Sequence, residues 1–217
     1  MTQERFSTIE ECREFAIQLS ELTPKKKLEQ KDNVVAMHLA LTRHIDEIVN
    51  RVCTRHKLKC QWDLNYRLGE VVLGRGGRGE ITLNPKALFH GAGYFRLLIL
   101  HELAHLTQPD HRTDFWRTHI LYLQEENLLP WGEIVEKPEI NTDSKLLVHK
   151  LFLNGKLIVE WHQTGRDEYY CDYFCHHNIE LVYKIRNKAK VARAKKAMEE
   201  IIKYTPNLKE LAIKVRL

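Results

Sequence analysis

Apolar positions along the first quarter of the chain keep helical spacing. Val34, Val35, Leu39, Leu41, Ile45, Ile48, Val49 and Val52 form one apolar face of a helix, and residues 7–58 read as helical. Thr8 and Glu11 stand three apart, as the two members of a capping box do, and Thr23-Pro24 separates a first helix from a second. Met37, His38 and His44 on the second helix read as core or surface positions, not as ligands.

The period then shortens. Val71-Val72-Leu73 and Glu80-Ile81-Thr82-Leu83 favour strand, which predicts a hairpin with a glycine-rich loop between them. Phe95 to Leu106 is apolar on nearly all sides and predicts a buried helix, against which the N-terminal helices are expected to pack. A further helix should run from Thr113, its cap, to about Asn127, anchored by Phe115 and Trp116. Residues 133–145, with Pro138, Asn141, Thr142, Asp143 and Ser144, read as a linker. Asn154-Gly155 between two β-rich runs, Leu146–Leu153 and Lys156–Trp161, is a hairpin signal. These patterns predict an α+β fold: helices, a small antiparallel sheet, and a C-terminal β-hairpin with a basic helix. They divide the chain into 1–137 (helical part 7–58, core 61–132) and 138–217.

Two histidines and a glutamate interrupt the apolar helix. His101, Glu102 and His105 form an H-E-x-x-H motif, whose spacing puts both imidazoles on one helix face with Glu102 beside them. Burying three such groups in an apolar helix is costly unless they are satisfied, and one metal ion satisfies all three. His111 is the candidate third ligand, with Asp110 and Asp114 as rivals. Three histidines leave a fourth position open, as in catalytic zinc sites. The interval from His105 to His111 is that of the long metzincin motif. Gln108, however, stands where that motif has Gly, and no Met lies between His111 and Met198 to form a Met-turn, so the chain is not of that group. Pro109 can end the helix instead, because the residue before a proline is pushed out of the helical region. The chemistry predicted is zinc-dependent peptide hydrolysis, with Glu102 as general base toward a water activated by the metal. His119, Tyr94 and Tyr122 are candidates for stabilising the oxyanion, and the Glu80–Leu83 strand for pairing with an extended peptide.

The stretch from His101 to His111, with Phe115-Trp116 after it and Gly79–Pro85 before it, resembles the YgjP-like and SprT-like group of zinc metallopeptidases. The resemblance covers roughly residues 70–132. It implies three histidine ligands, His101, His105 and His111, and Glu102 as the base. Together with the helix and strand pattern this gives a zincin-like domain. The chain lacks the C-terminal four-cysteine zinc ribbon usual in SprT-like members. Where YgjP-like members usually have a Ser/Arg/Trp/Gly/Cys-rich segment, it reads Gly74-Arg75-Gly76-Gly77-Arg78-Gly79.

Composition changes this picture in two places. Residues 181–217 carry eleven Lys/Arg against three acids, while the whole chain has 34 against 29, so the other 180 residues are slightly acidic. The block Lys184, Arg186, Lys188, Lys190, Arg193, Lys195 and Lys196 could sit on nucleic acid. That gives the alternative reading, a nucleic-acid-associated protein whose zinc site is structural or vestigial. Cys171, Cys175, His176 and His177 form a second cluster that could hold a metal, although its spacing matches no known ribbon or finger. Gly74-x-Gly76-x-x-Gly79 imitates a dinucleotide fingerprint, but a strand and not a helix follows it. Arg75 and Arg78 read as loop positions, with substrate contact as the alternative. Five scattered cysteines, no signal-like N-terminus and no membrane-length apolar run lead to the expectation of a cytoplasmic protein acting on protein or peptide substrates.

Overall fold

The computed structural model describes residues 5–69, 72–164, 168–174, 187–205 and 208. Helix α1, Ile9–Glu21, begins at the capping box: the Thr8 hydroxyl accepts from the Glu11 N–H at 3.2 Å, and the Glu11 carboxylate accepts from the Thr8 N–H at 3.2 Å. Pro24 opens a short helix α2, Pro24–Glu29, and Gln30 separates it from α3, Lys31–His56. The break at Thr23-Pro24 is therefore followed by a second one. Of the expected apolar face on α3, Val34, Leu41, Ile45, Ile48, Val49 and Val52 are buried, and Val35 and Leu39 are half-buried. That face meets α1 and α4.

Three short strands follow, β1 Gln61–Leu64, β2 Gly74–Gly77 and β3 Glu80–Leu83. They form a sheet in the order β1-β3-β2. Strand β3 pairs antiparallel with β2 but parallel with β1, so this sheet is mixed and not antiparallel. The glycines expected to form a loop are themselves strand, and the turn is only Arg78-Gly79, both at positive φ. Buried Asn84 ties this unit together. Its amide donates to the Val72 carbonyl at 2.8 Å, and its side-chain oxygen accepts from the Lys86 N–H at 3.0 Å, capping a 3₁₀ helix over Pro85–His90. Helices α4, Ala92–Ala104, and α5, Thr113–Glu125, come next. The N-cap of α5 is Arg112 and not Thr113; the Thr113 hydroxyl donates instead to Glu136 at 3.0 Å.

The rest of the chain builds a four-stranded antiparallel meander, β4 Ile134–Ile140, β5 Leu147–Leu153, β6 Lys156–Gln163 and β7 Tyr169–Phe174. The segment read as a linker contains strand β4. It is an edge strand, where the missing N–H of Pro138 breaks no ladder that the sheet needs. Asn154 and Gly155, at φ 50 and 78, make the predicted tight turn between β5 and β6. Helix α6, Lys188–Lys203, buries Val191, Ala194, Met198 and Ile201 in the same apolar cluster as Ile9, Leu19 and Val34, and packs on α1, α2 and α3. Among the described residues no helix is long and apolar enough to cross a membrane.

Candidate metal centre

Helix α4 is apolar around most of its circumference and is covered on most sides. Phe95, Leu97, Leu98, Ile99, Leu100, Leu103 and Ala104 are all buried, against β2 and β3 on one flank and α1, α3 and α5 elsewhere. Burying side chains of that size is worth about 1.5–3 kcal/mol each. This cover holds in place the ionisable groups at the C-terminal end of the helix. His101 and Glu102 lie in the last turn of α4, and His105 is its C-cap. The chain then tightens, with the Leu106 N–H donating to the Leu103 carbonyl at 3.1 Å and the Gln108 N–H to the Ala104 carbonyl at 3.0 Å. Pro109 follows, and a turn closed by the Arg112 N–H on the Asp110 carbonyl at 2.9 Å carries His111 back over the helix end.

Ligand nitrogens of His101, His105 and His111 all lie within 4.8 Å of one another. The Nε2 atoms of His101 and His111 are 3.1 Å apart. Two nitrogens bound to one tetrahedral zinc at its usual bond length stand roughly 3.4 Å apart, so the spacing suits a shared cation. His105 Nδ1 lies 3.1 Å from the Gln108 carbonyl, which accepts its proton and leaves Nε2 as the free lone pair. The Phe115 ring lies under all three imidazoles, with centroid distances of 4.8, 4.4 and 4.6 Å to His101, His105 and His111. Asp110 is engaged by Arg112 at 3.4 Å and Asp114 is exposed in the first turn of α5; neither belongs to the converging group.

Burial sets the charge state. It holds His101 well below its ordinary pKa, aided by the neighbouring His119, His111 and His105. Burial also lowers His105, against the pull of the Gln108 and Pro109 carbonyls, and brings His111 down to about 4. Three neutral imidazoles with converging nitrogens are the donor set of a borderline-soft divalent cation. Glu102 is pushed up to about 8 by burial in the protein chain alone. An adjacent dication would draw it back toward the carboxylate.

The glycine strand explains how Glu102 is placed. A Cβ on Gly74 would lie within 2.8 Å of the Glu102 carboxyl carbon, and one on Gly76 within 3.0 Å of both the Glu102 backbone carbon and the His105 Cβ. Only a strand without side chains at these alternate positions can lie this close to the helix. The Gly-x-Gly pattern that imitates a dinucleotide fingerprint is thus a steric requirement of the His/Glu site. His119, one of the oxyanion candidates, also lies at the site. It is fully buried on α5, edge-on to His101 at 5.2 Å and stacked on Phe174 of β7 at 5.4 Å. Its interval from Phe115 and Trp116 puts it on their helix face, and this was its one signal in the sequence. Of the other oxyanion candidates, Tyr94 has its ring 5.0 Å from His90 and is close enough to feel the Glu102 charge, whereas Tyr122 bonds to Thr107 and lies on His56.

Strand β3, expected to pair with a substrate, has β1 on one side and β2 on the other, and so presents no free edge. Among the described residues the edge nearest the site belongs to β2. Arg75 is exposed on that strand and Arg78 is exposed in the turn. Of the second cluster, Cys171 is a half-buried thiol on β7, and Cys175, His176 and His177 lie outside the described residues. No curated protein and no solved structure is similar enough to match the chain. The family model of the YgjP-like metallopeptidase domain matches residues 10–125, from α1 to the last residue of α5 and so including the whole histidine group. That span is more than half of the chain, and the chain belongs to the YgjP-like family.

Proposed function

We propose that the protein is a zincin-like zinc metallopeptidase, with His101, His105 and His111 as ligands and Glu102 as general base. The observation that carries this reading is the convergence of three neutral imidazoles beside a buried carboxyl on one helix end. A zinc ion held there supplies Lewis acidity, lowering the pKa of a water and polarising a peptide carbonyl. Glu102 accepts the proton of the attacking water and returns it to the leaving amine. The Phe115 ring and the buried wall of α4 keep bulk water from the inner side of the histidines, so the reaction takes place in a low dielectric. His105 is held in one tautomer by the Gln108 carbonyl. An extended peptide pairs with the outer edge of β2, which brings a backbone carbonyl across Glu102 without displacing any described strand.

The test is zinc content measured together with hydrolysis of a peptide library. Wild type should hold one zinc per chain and cleave. Glu102→Gln should hold zinc and not cleave. Cleavage at the wild-type rate by Glu102→Gln would remove Glu102 as the base.

A further inference from the structure

Away from the histidines, α2 and α6 bring cations together from distant parts of the sequence. Lys27 is only 4% exposed, and its charged neighbours are Arg193 and Lys190, one turn apart on α6. Among the described residues no carboxylate makes an ion pair with any of the three. Burial and these two cations hold the Lys27 ammonium below the usual lysine range. Lys25 and Lys26 on α2 and Lys188 at the start of α6 are exposed beside them in sequence. Like charges gathered around a buried ammonium oppose folding unless an anion arrives.

A second feature on the same two segments narrows the choice of anion. A cavity of about 470 Å³ is lined by Leu28, Lys31, Lys196, Lys203 and Tyr204. Tyr204 is 70% exposed and Leu28 60%, and the Lys203 ammonium stands 5.0 Å from the Tyr204 ring centroid. Glu199 and Glu200 share the wall, but Arg67 engages Glu199 at 2.8 Å. From Lys190 to Tyr204 the helix rises ~21 Å, a length that a short stretch of a nucleic-acid strand can follow. A run of cations beside an exposed aromatic ring is what unstacked bases on a phosphate backbone require. A membrane surface would need an apolar helix face, and that of α6 is already in the core.

We propose that the α2–α6 face binds single-stranded nucleic acid, with phosphates on Lys190 and Arg193, drawn also by the Lys27 charge beneath them, and a base stacked on Tyr204. This goes beyond the peptidase reading and does not depend on it. The basic C-terminal run supplies Lys190, Arg193 and Tyr204, and α2 supplies Lys27.

The experiment is fluorescence anisotropy of the full chain with a labelled single-stranded oligonucleotide and its duplex, titrated across a range of salt. Wild type should bind the single strand more tightly than the duplex, with affinity falling steeply as salt rises. The triple variant Lys27→Gln, Lys190→Gln, Arg193→Gln should lower the slope of log affinity against log salt by about 2–3. Because Lys27 is buried, the double variant Lys190→Gln, Arg193→Gln carries the same test with both changes outside the core. Its slope should fall by about 1–2. Tyr204→Ala should weaken the single strand roughly ten-fold and leave the salt slope alone. A control triple on other elements, Lys59→Gln, Lys137→Gln and Lys156→Gln, should change neither. Glu102→Gln should bind as wild type does, so a failure of the peptidase reading leaves this one standing. An unchanged slope in both charge variants, an equal fall in the control, no preference for the single strand, or equal competition by polyglutamate would each overturn the proposal.

Discussion

The histidine end of α4 and the lysine face of α2 and α6 both gather ionisable groups of one kind, and they deal with them in opposite ways. At the histidines, burial strips the charge: the imidazoles stay neutral and Glu102 is held protonated well above its ordinary value. At the lysines, most of the charge reaches solvent and remains, with Lys27 alone drawn inward. The first region is therefore a set of converging neutral lone pairs that can replace part of the hydration shell of a small cation. The second is a positive field facing solvent, which attracts anions. Burial, more than residue type, decides which ligand each cluster can take.

The sharpest test of this contrast is ligand removal. His101→Ala, His105→Ala and His111→Ala should each lose zinc by elemental analysis and with it all cleavage, whereas Asp110→Ala and Asp114→Ala should keep both. Full zinc in His111→Ala would return the third place to a carboxylate. Next in size, Glu102→Gln should lower the cleavage rate by roughly 10²–10⁴-fold at unchanged zinc content, the usual contribution of a positioned base.

A smaller effect tests the close approach of strand and helix. Gly76→Ala should destabilise the protein by about 1–3 kcal/mol in urea unfolding, because its methyl would press on the Glu102 backbone and the His105 Cβ. Gly69→Ala meets nothing within 4 Å and should be nearly neutral. Equal effects at the two sites would mean that the glycines serve only their backbone.

The smallest effect is a pH dependence. A glutamate raised from 4.5 to about 8 stabilises the fold fully below the lower value, and this stabilisation is lost as pH rises through the upper one. The lowered histidines do the reverse: their contribution is full above 6.5 and is lost as pH falls, for His111 through about 4. Of these groups, Glu102 alone acts between pH 6.5 and 8. Chelator-treated wild type should lose up to about 2 kcal/mol across that window. The chelator-treated Glu102→Gln variant should lose none, and zinc-loaded wild type should lose less.

The readable parts of the site were the local ones. His101, Glu102 and His105 are neighbours because of helix geometry alone, and the buried character of their helix follows from the apolar residues on either side of them. The α1 capping box and the Asn154-Gly155 turn are likewise fixed within a few residues, and both formed where the sequence places them. His111 was within reach because Pro109 limits how far the chain can travel before it turns.

What the sequence determined by itself was thus the candidate ligands and the local frame: the H-E-x-x-H helix, its capped neighbour α1, and the hairpin of β5 and β6. Tertiary structure alone decided the rest. It placed β1 parallel to β3, turned a glycine loop into a strand pressed on Glu102, took the Pro138 segment into a sheet edge, set His119 against His101, and joined Lys27 to Lys190 and Arg193. The reason is one of range. Periodicity and capping report hydrogen bonds and side-chain directions over one or two turns of chain, whereas these contacts join segments whose meeting depends on how every intervening element packs.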